Sequence, residues 1–136
     1  MSLLTRGRRE TSAQGRLVGE EAVVLLAAAR IAAGVGSYLL PGVAARFFGA
    51  PPARNPAVPF VVRTFGARDL IMGIGLAGSE GRERDHWLTL GVLVDTMDAA
   101  AALLAVRRRQ IPAATGVAAA VTAAGAVALG LRARQG

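Results

Sequence analysis

Arg68 and Asp69 stand side by side in "FGARDLIMGIG" (Phe65–Gly75), a stretch otherwise apolar enough to lie in hydrocarbon. Arg30 interrupts an earlier apolar run, and Asp95 and Asp98 interrupt a later one. An ionised side chain at mid-membrane costs about 2.5–3.5 kcal/mol on insertion scales, so five unpaired ones would cost roughly 12–18 kcal/mol. That exceeds the whole stability of many domains. Such residues must pair with one another or line a wet cavity.

Their spacing allows pairing. Asp95 and Asp98 share a helix face, extended by Gly91 and Ala102. Gly66, Asp69 and Gly73 form a similar stripe, and Arg30, Gly34 and Ser37 form a third. Arg68 lies about 100° round a helix from Asp69, so the two are expected to face different neighbours, one of them another helix or a partner subunit.

Two guanidiniums cannot neutralise three carboxylates. Arginine stays charged, whereas a desolvated carboxyl can take up a proton. Asp95 or Asp98 is expected to hold that proton unless Arg63, nearer a helix end, reaches in. A neutral carboxylic acid beside cations is a proton donor. In a dry pocket it suits acid-initiated isomerisation or cyclisation. The candidate acids are therefore Asp95, Asp98 and Asp69, with Arg30 and Arg68 as charge partners. The same five residues also describe the inert packing network of a structural or accessory subunit, or the intramembrane carboxylates of a proton-coupled small exporter, and all three readings stand at this point.

The medium follows from composition. The 136-residue chain is 53% hydrophobic but only 4% aromatic, with 17 glycines. Its mean hydropathy is +0.44. Small apolar residues in this proportion suit closely packed transmembrane helices. A net charge of +7 would ordinarily suggest nucleic acid, but all 16 basic residues are arginines at the ends of apolar runs or inside them. No polar stripe is left for a phosphate backbone, so no nucleic-acid partner is expected. With no cysteine, disulfides, zinc-thiolate sites and cysteine nucleophiles are excluded.

The expected fold is all-α, a bundle of four transmembrane helices at about 21–40, 59–78, 87–106 and 111–131. Each run is about 20 residues, enough to cross a hydrocarbon core of roughly 30 Å. Residues 1–18 read as a flexible basic tail, and residues 19–136 as one membrane domain. A signal peptide is disfavoured by Glu20 and Glu21 before the first run and by Arg30 within it. Five of the six prolines lie between Pro41 and Pro59, which reads as an ordered, non-helical connection. "SEGRERD" reads as a charged turn, with Trp87 marking the membrane interface at the head of the third helix.

Four spans place both termini on one side. Arg6, Arg8, Arg9, Arg16, Arg82, Arg84, Arg132 and Arg134 flank that side, against Arg46, Arg54, Arg107, Arg108 and Arg109 on the other. The bias favours cytoplasmic termini of a multi-pass plasma-membrane protein. The expected partners are the lipid bilayer, a lipophilic small molecule, and a second copy or a membrane complex.

Other motifs carry less. "DTMD" (Asp95–Asp98) resembles the metal-binding aspartates of CDP-alcohol phosphotransferases. Ala99 replaces the glycine those enzymes need, and their further aspartate pair is missing, so no metal is expected. His86 reads as an interfacial residue beside Trp87, and Tyr38 as an interface anchor. Neither a nucleophilic triad nor a dinucleotide fingerprint is present, and no cofactor is expected.

An arginine in the first helix, "ARFFG" after it, "FGARDLIMG" and an aspartate-bearing third helix together resemble small four-helix membrane proteins common in actinobacteria. These are grouped as a domain of unknown function, and the resemblance spans about Leu25 to Leu104. Its most specific part is the FG-x-RD-x-x-x-G element of Phe65, Gly66, Arg68, Asp69 and Gly73. It implies a membrane bundle and no established activity. A looser likeness to DoxX-like proteins rests on helix count.

Overall fold

A computed structural model describes the backbone of residues 2–134, and the side chains of residues 14–134 apart from Arg54. It contains α1 (Ser2–Leu39), α2 (Pro41–Phe47), a 3-10 turn (Pro52–Arg54), α3 (Val58–Ala77), α4 (Gly81–Arg107) and α5 (Ala113–Ala133). Among the described residues the fold is all-helical, without a strand.

Among the described residues the α-helices number five, where the sequence suggests four. The extra one is α2, in the proline-rich connection expected to be non-helical. Leu40, at φ −123° and ψ 53°, breaks α1, as the residue before a proline tends to do. Pro41 then takes the first helical position, where its missing N–H costs nothing. A proline that ends one helix therefore starts the next. The third expected helix also begins earlier, at Gly81 rather than near Trp87. Most of the charged turn thus becomes the first turns of α4, and Glu83 meets the positive end of the helix dipole. At the N-terminus α1 is helical from Ser2, through residues read from sequence as a flexible tail. The side chains of residues 1–13 lie outside the described residues.

Close packing follows the small residues. A Cβ added to Gly34 would stand 2.6 Å from the Leu70 nitrogen, and one on Gly73 would stand 2.9 Å from that of Ile31. Only glycine admits the α1–α3 backbones so near. On the opposite side α4 packs on α5, with Gly116 beneath Val106. Helix α1 also meets α5, and α2 rests on α3 and α1. Helices α3 and α4 are consecutive in the chain yet touch far less than α1 and α3 do.

The buried apolar cluster is thin, built from Ala22, Val23, Leu26 and Ala27 of α1 against Leu76, Leu88 and Ala133. Large apolar side chains point outward instead, among them Val24, Ile71 and Met97, each more than 60% exposed. Gln14–Leu39 of α1, α4 and α5 are long and apolar enough to cross a membrane. That marks the chain as a membrane protein by length and composition. Helix α3 is not among these spans, because Arg63, Arg68 and Asp69 interrupt its apolar sequence.

Candidate functional site

The five charged residues singled out from sequence converge. Arg30, on α1, donates through one terminal nitrogen to Asp95 Oδ2 of α4 at 2.5 Å. Its other terminal nitrogen donates to Asp69 Oδ1 of α3 at 3.2 Å. Both members of the Arg30–Asp95 pair are less than a tenth exposed. Gly91, one turn before Asp95, makes room: a Cβ there would lie 3.2 Å from Arg30 Nη2.

Arg68 forms the second half. Its terminal nitrogens grip Asp98 of α4 in a two-point pair, Nη1 to Oδ1 at 3.0 Å and Nη2 to Oδ2 at 2.7 Å. The paired forks of a guanidinium and a carboxylate favour this geometry. Nη2 also reaches Asp69 Oδ1 at 3.4 Å, so that one oxygen links the two arginines. As expected, their principal partners lie on different helices, Asp98 of α4 for Arg68 and Arg30 of α1 for Asp69, but Arg68 also reaches Asp69 itself. The arginine stem is long enough to bring its head back round the helix to the shared oxygen. No partner subunit is needed for Arg68 to join the network.

Arg68 and Asp98 are each about one-third exposed, where Arg30 and Asp95 are enclosed. They bridge α3 and α4, which otherwise make little contact. The Arg68 guanidinium also sits 4.9 Å from the centroid of the Phe65 ring, a cation–π contact. No role was assigned to Phe65 from sequence, although its position three residues before Arg68 places both on one helix face. Arg68 Nε is buried and has no hydrogen-bond partner among the described residues.

Arg63 does not enter the network. Its Nε donates to the Tyr38 carbonyl at 3.2 Å, near the end of α1. Two guanidiniums thus face three carboxylates, an excess of one negative charge unless the cluster takes up a proton. Among the described residues, no group of three or more His, Asp or Glu side chains is arranged to hold a metal ion. Guanidinium groups occupy the space between the aspartates.

A second polar constellation joins the helix ends near the α3–α4 turn. Arg84 donates to Glu20 Oε1 at 2.7 Å and to the Ser79 carbonyl at 3.0 Å, tying α4 to α1. Nothing local in the sequence signals the Arg84–Glu20 pair, because the two residues lie far apart in the chain. Beside it is a cavity of about 270 Å³, lined by Glu20, Arg84, Asp85 and Arg134 among others. None of the five network residues lines it. His86 is exposed and Trp87 half-buried, its ring over Gly75 of α3.

Compared with protein-family models, with curated proteins and with solved structures, the chain finds no match.

Proposed function

We propose that the chain is a four-span integral membrane protein that binds a lipophilic small molecule bearing a polar group. The molecule would enter from the bilayer between α3 and α4 and meet Arg68 and Asp98. One observation carries this reading: the Arg68–Asp98 pair is about one-third exposed at a seam where two consecutive helices make little contact. At mid-depth in hydrocarbon, an exposed ion pair is costly unless a polar group covers it. Ile71 and Met97, both exposed, would supply apolar surface nearby.

Helix α3 becomes the fourth span in this reading. Its charges find partners inside the bundle, so the barrier to crossing that its sequence presents is largely removed. The arginine bias supports a reading in which both termini are cytoplasmic, and a cell-membrane location belongs to the same proposal. Membership of the four-helix actinobacterial family that the Phe65–Gly73 element resembles belongs to the same proposal. If the bound molecule is also converted, the third carboxyl group, in its protonated form, donates a proton that starts isomerisation or cyclisation and takes one back when the product loses a proton.

The rival reading is a non-catalytic accessory subunit whose charges set packing alone. The enclosed Arg30–Asp95 pair favours it, because nothing from outside can reach that half. Mass spectrometry of small molecules retained by protein purified in mild detergent separates the two. Wild type is expected to carry a lipophilic species that R68Q loses while remaining folded. Retention of the same species by R68Q, or its absence from wild type, sinks the ligand proposal.

A further inference from the structure

We propose that the end of the bundle formed by α2 and the α4–α5 turn binds the phosphodiester headgroup of anionic phospholipids, through Arg46, Arg107, Arg108 and Arg109. The four lie at one end of the bundle, in segments that meet the first turn of α5. Arg46 lies three residues before Gly49, whose carbonyl accepts from the Thr115 hydroxyl in the first turn of α5 at 3.4 Å. Gly116, beside Thr115, sits directly beneath Val106, one residue before Arg107. The first turn of α5 thus touches both the segment that follows Arg46 and the residue that precedes the arginine triplet. All four arginines are exposed.

Their charge is uncompensated. No acidic residue occurs between Glu21 and Asp69, or anywhere after Asp98, and Asp69 and Asp98 are held by the intramembrane network. The opposite end is built differently. There Glu20, Glu80, Glu83 and Asp85 mingle with Arg82, Arg84, Arg132 and Arg134, and Arg84 pairs with Glu20. At one end acidic and basic residues interleave, while the other presents arginines with no acidic residue near them in sequence. Phe47, 80% exposed and edge-on to Phe48, stands next to Arg46 and suits the headgroup–acyl boundary.

Backbone geometry adds an independent observation. Both α2 and α4 end in the same hydrogen-bonded turn. In α2, Gly49 N–H donates to the Arg46 carbonyl and Ala50 N–H to that of Ala45. In α4, Arg109 N–H donates to the Val106 carbonyl and Gln110 N–H to that of Ala105. The residue at the left-handed position of such a turn is usually glycine. Gly49 fills it at φ 71°, but Arg109 occupies it at φ 56°. A side chain there is strained, and strain retained in a structure points to a use for the side chain. Arginine suits a phosphodiester because its fork can engage two oxygens at once.

The test uses full-length protein in mild detergent, titrated with phosphatidylglycerol or with phosphatidylcholine of the same acyl chains, and read by native mass spectrometry. Each arginine near an anionic headgroup contributes about five-fold in affinity. The R107Q/R108Q/R109Q variant should bind phosphatidylglycerol roughly a hundred-fold more weakly. R46Q should lose about five-fold. Phosphatidylcholine binding should not change, and R82Q/R132Q, at the other end, should behave as wild type. R109G gives opposing signs: a higher melting temperature from relief of strain, with about five-fold weaker phosphatidylglycerol binding. Equal binding of the two lipids by wild type would overturn the proposal. So would equal losses at both ends, R109G with unchanged lipid affinity, or competition by millimolar inorganic phosphate, which would mark a free-anion site.

Discussion

Arg30 and Arg68 are the same residue type, each pairs with an aspartate of α4, and one Asp69 oxygen touches both. Their surroundings nevertheless differ. Arg30 projects from α1, the helix packed against both α3 and α5, and it is enclosed. Arg68 projects from α3, whose one extensive contact is with α1, and it opens toward the α3–α4 seam. The position of the parent helix in the bundle sets exposure, not the chemistry of the residue. An enclosed pair can hold helices together but meets nothing from outside. An open pair contributes less to packing and is available to a ligand.

The largest effect should come from the enclosed half. R30A leaves Asp95 buried without its cation and takes from Asp69 one of its two. Breaking a buried pair by removing one partner costs about 3–5 kcal/mol. Thermal melts in detergent should show R30A far below wild type, or too unstable to purify as a single species. If R30A and R68A melt alike, the two halves are energetically equivalent and the comparison fails.

Next in size is G91A. Its new methyl group would crowd Arg30 Nη2 at 3.2 Å, pushing the head away from Asp95. Overpacking of this kind costs about 1–3 kcal/mol, set against up to about 1 kcal/mol that alanine gains over glycine in a helix. G36A is the matched control, since a Cβ there meets nothing within 4 Å. Alanine in place of a helical glycine should then stabilise by up to about 1 kcal/mol. Melting shifts of the same sign in both variants would show that Gly91 is not the opening through which Arg30 reaches α4.

How much of this could be read from the chain depends on the residue. Arg30, Asp69 and Asp95 are expected to pair or to line a wet cavity because unpaired charge is costly in hydrocarbon, and the stripes through Gly34, Gly66 and Gly73 locate the close faces. That logic is local and needs no fold. The exposure difference between Arg30 and Arg68 was not legible, because it depends on which helix becomes central, a property of the whole bundle. Nor was α2. Pro41 stops a preceding helix and starts a following one equally well, and the sequence alone reads only the stop. The reach of Arg68 back to Asp69 was missed for a simpler reason: angular position on a helix describes Cβ directions, not the head of a long side chain.

A smaller effect is expected at the open half. R68A should cost less than R30A, since Asp98 is about one-third exposed where Asp95 is enclosed, and Asp69 keeps Arg30. Part of that loss comes from the lone carboxylate of Asp98, so R68A/D98N should recover some of it. A double variant no more stable than R68A would mean that Arg68 acts through Asp69 or Phe65 instead.

The smallest stability change, and the most telling one, should come from D98N set beside D95N. Both substitutions keep side-chain shape and remove one carboxylate from α4. D95N takes the charge from the enclosed Arg30 and should lower the melting temperature clearly. D98N leaves a half-open arginine that still has Asp69 at 3.4 Å and the Phe65 ring at 4.9 Å. It also brings the network from three carboxylates to two, matching its two guanidiniums. Its melting temperature should therefore stay close to that of wild type. If the open half meets a ligand, D98N should nevertheless lose the lipophilic species that wild type retains, while any D95N that can be purified keeps it. Stability and ligand retention would then separate along the line between the two halves. Should D98N and D95N lose stability to the same extent, with no species retained by wild type, the whole network is a packing device and the open pair has no ligand.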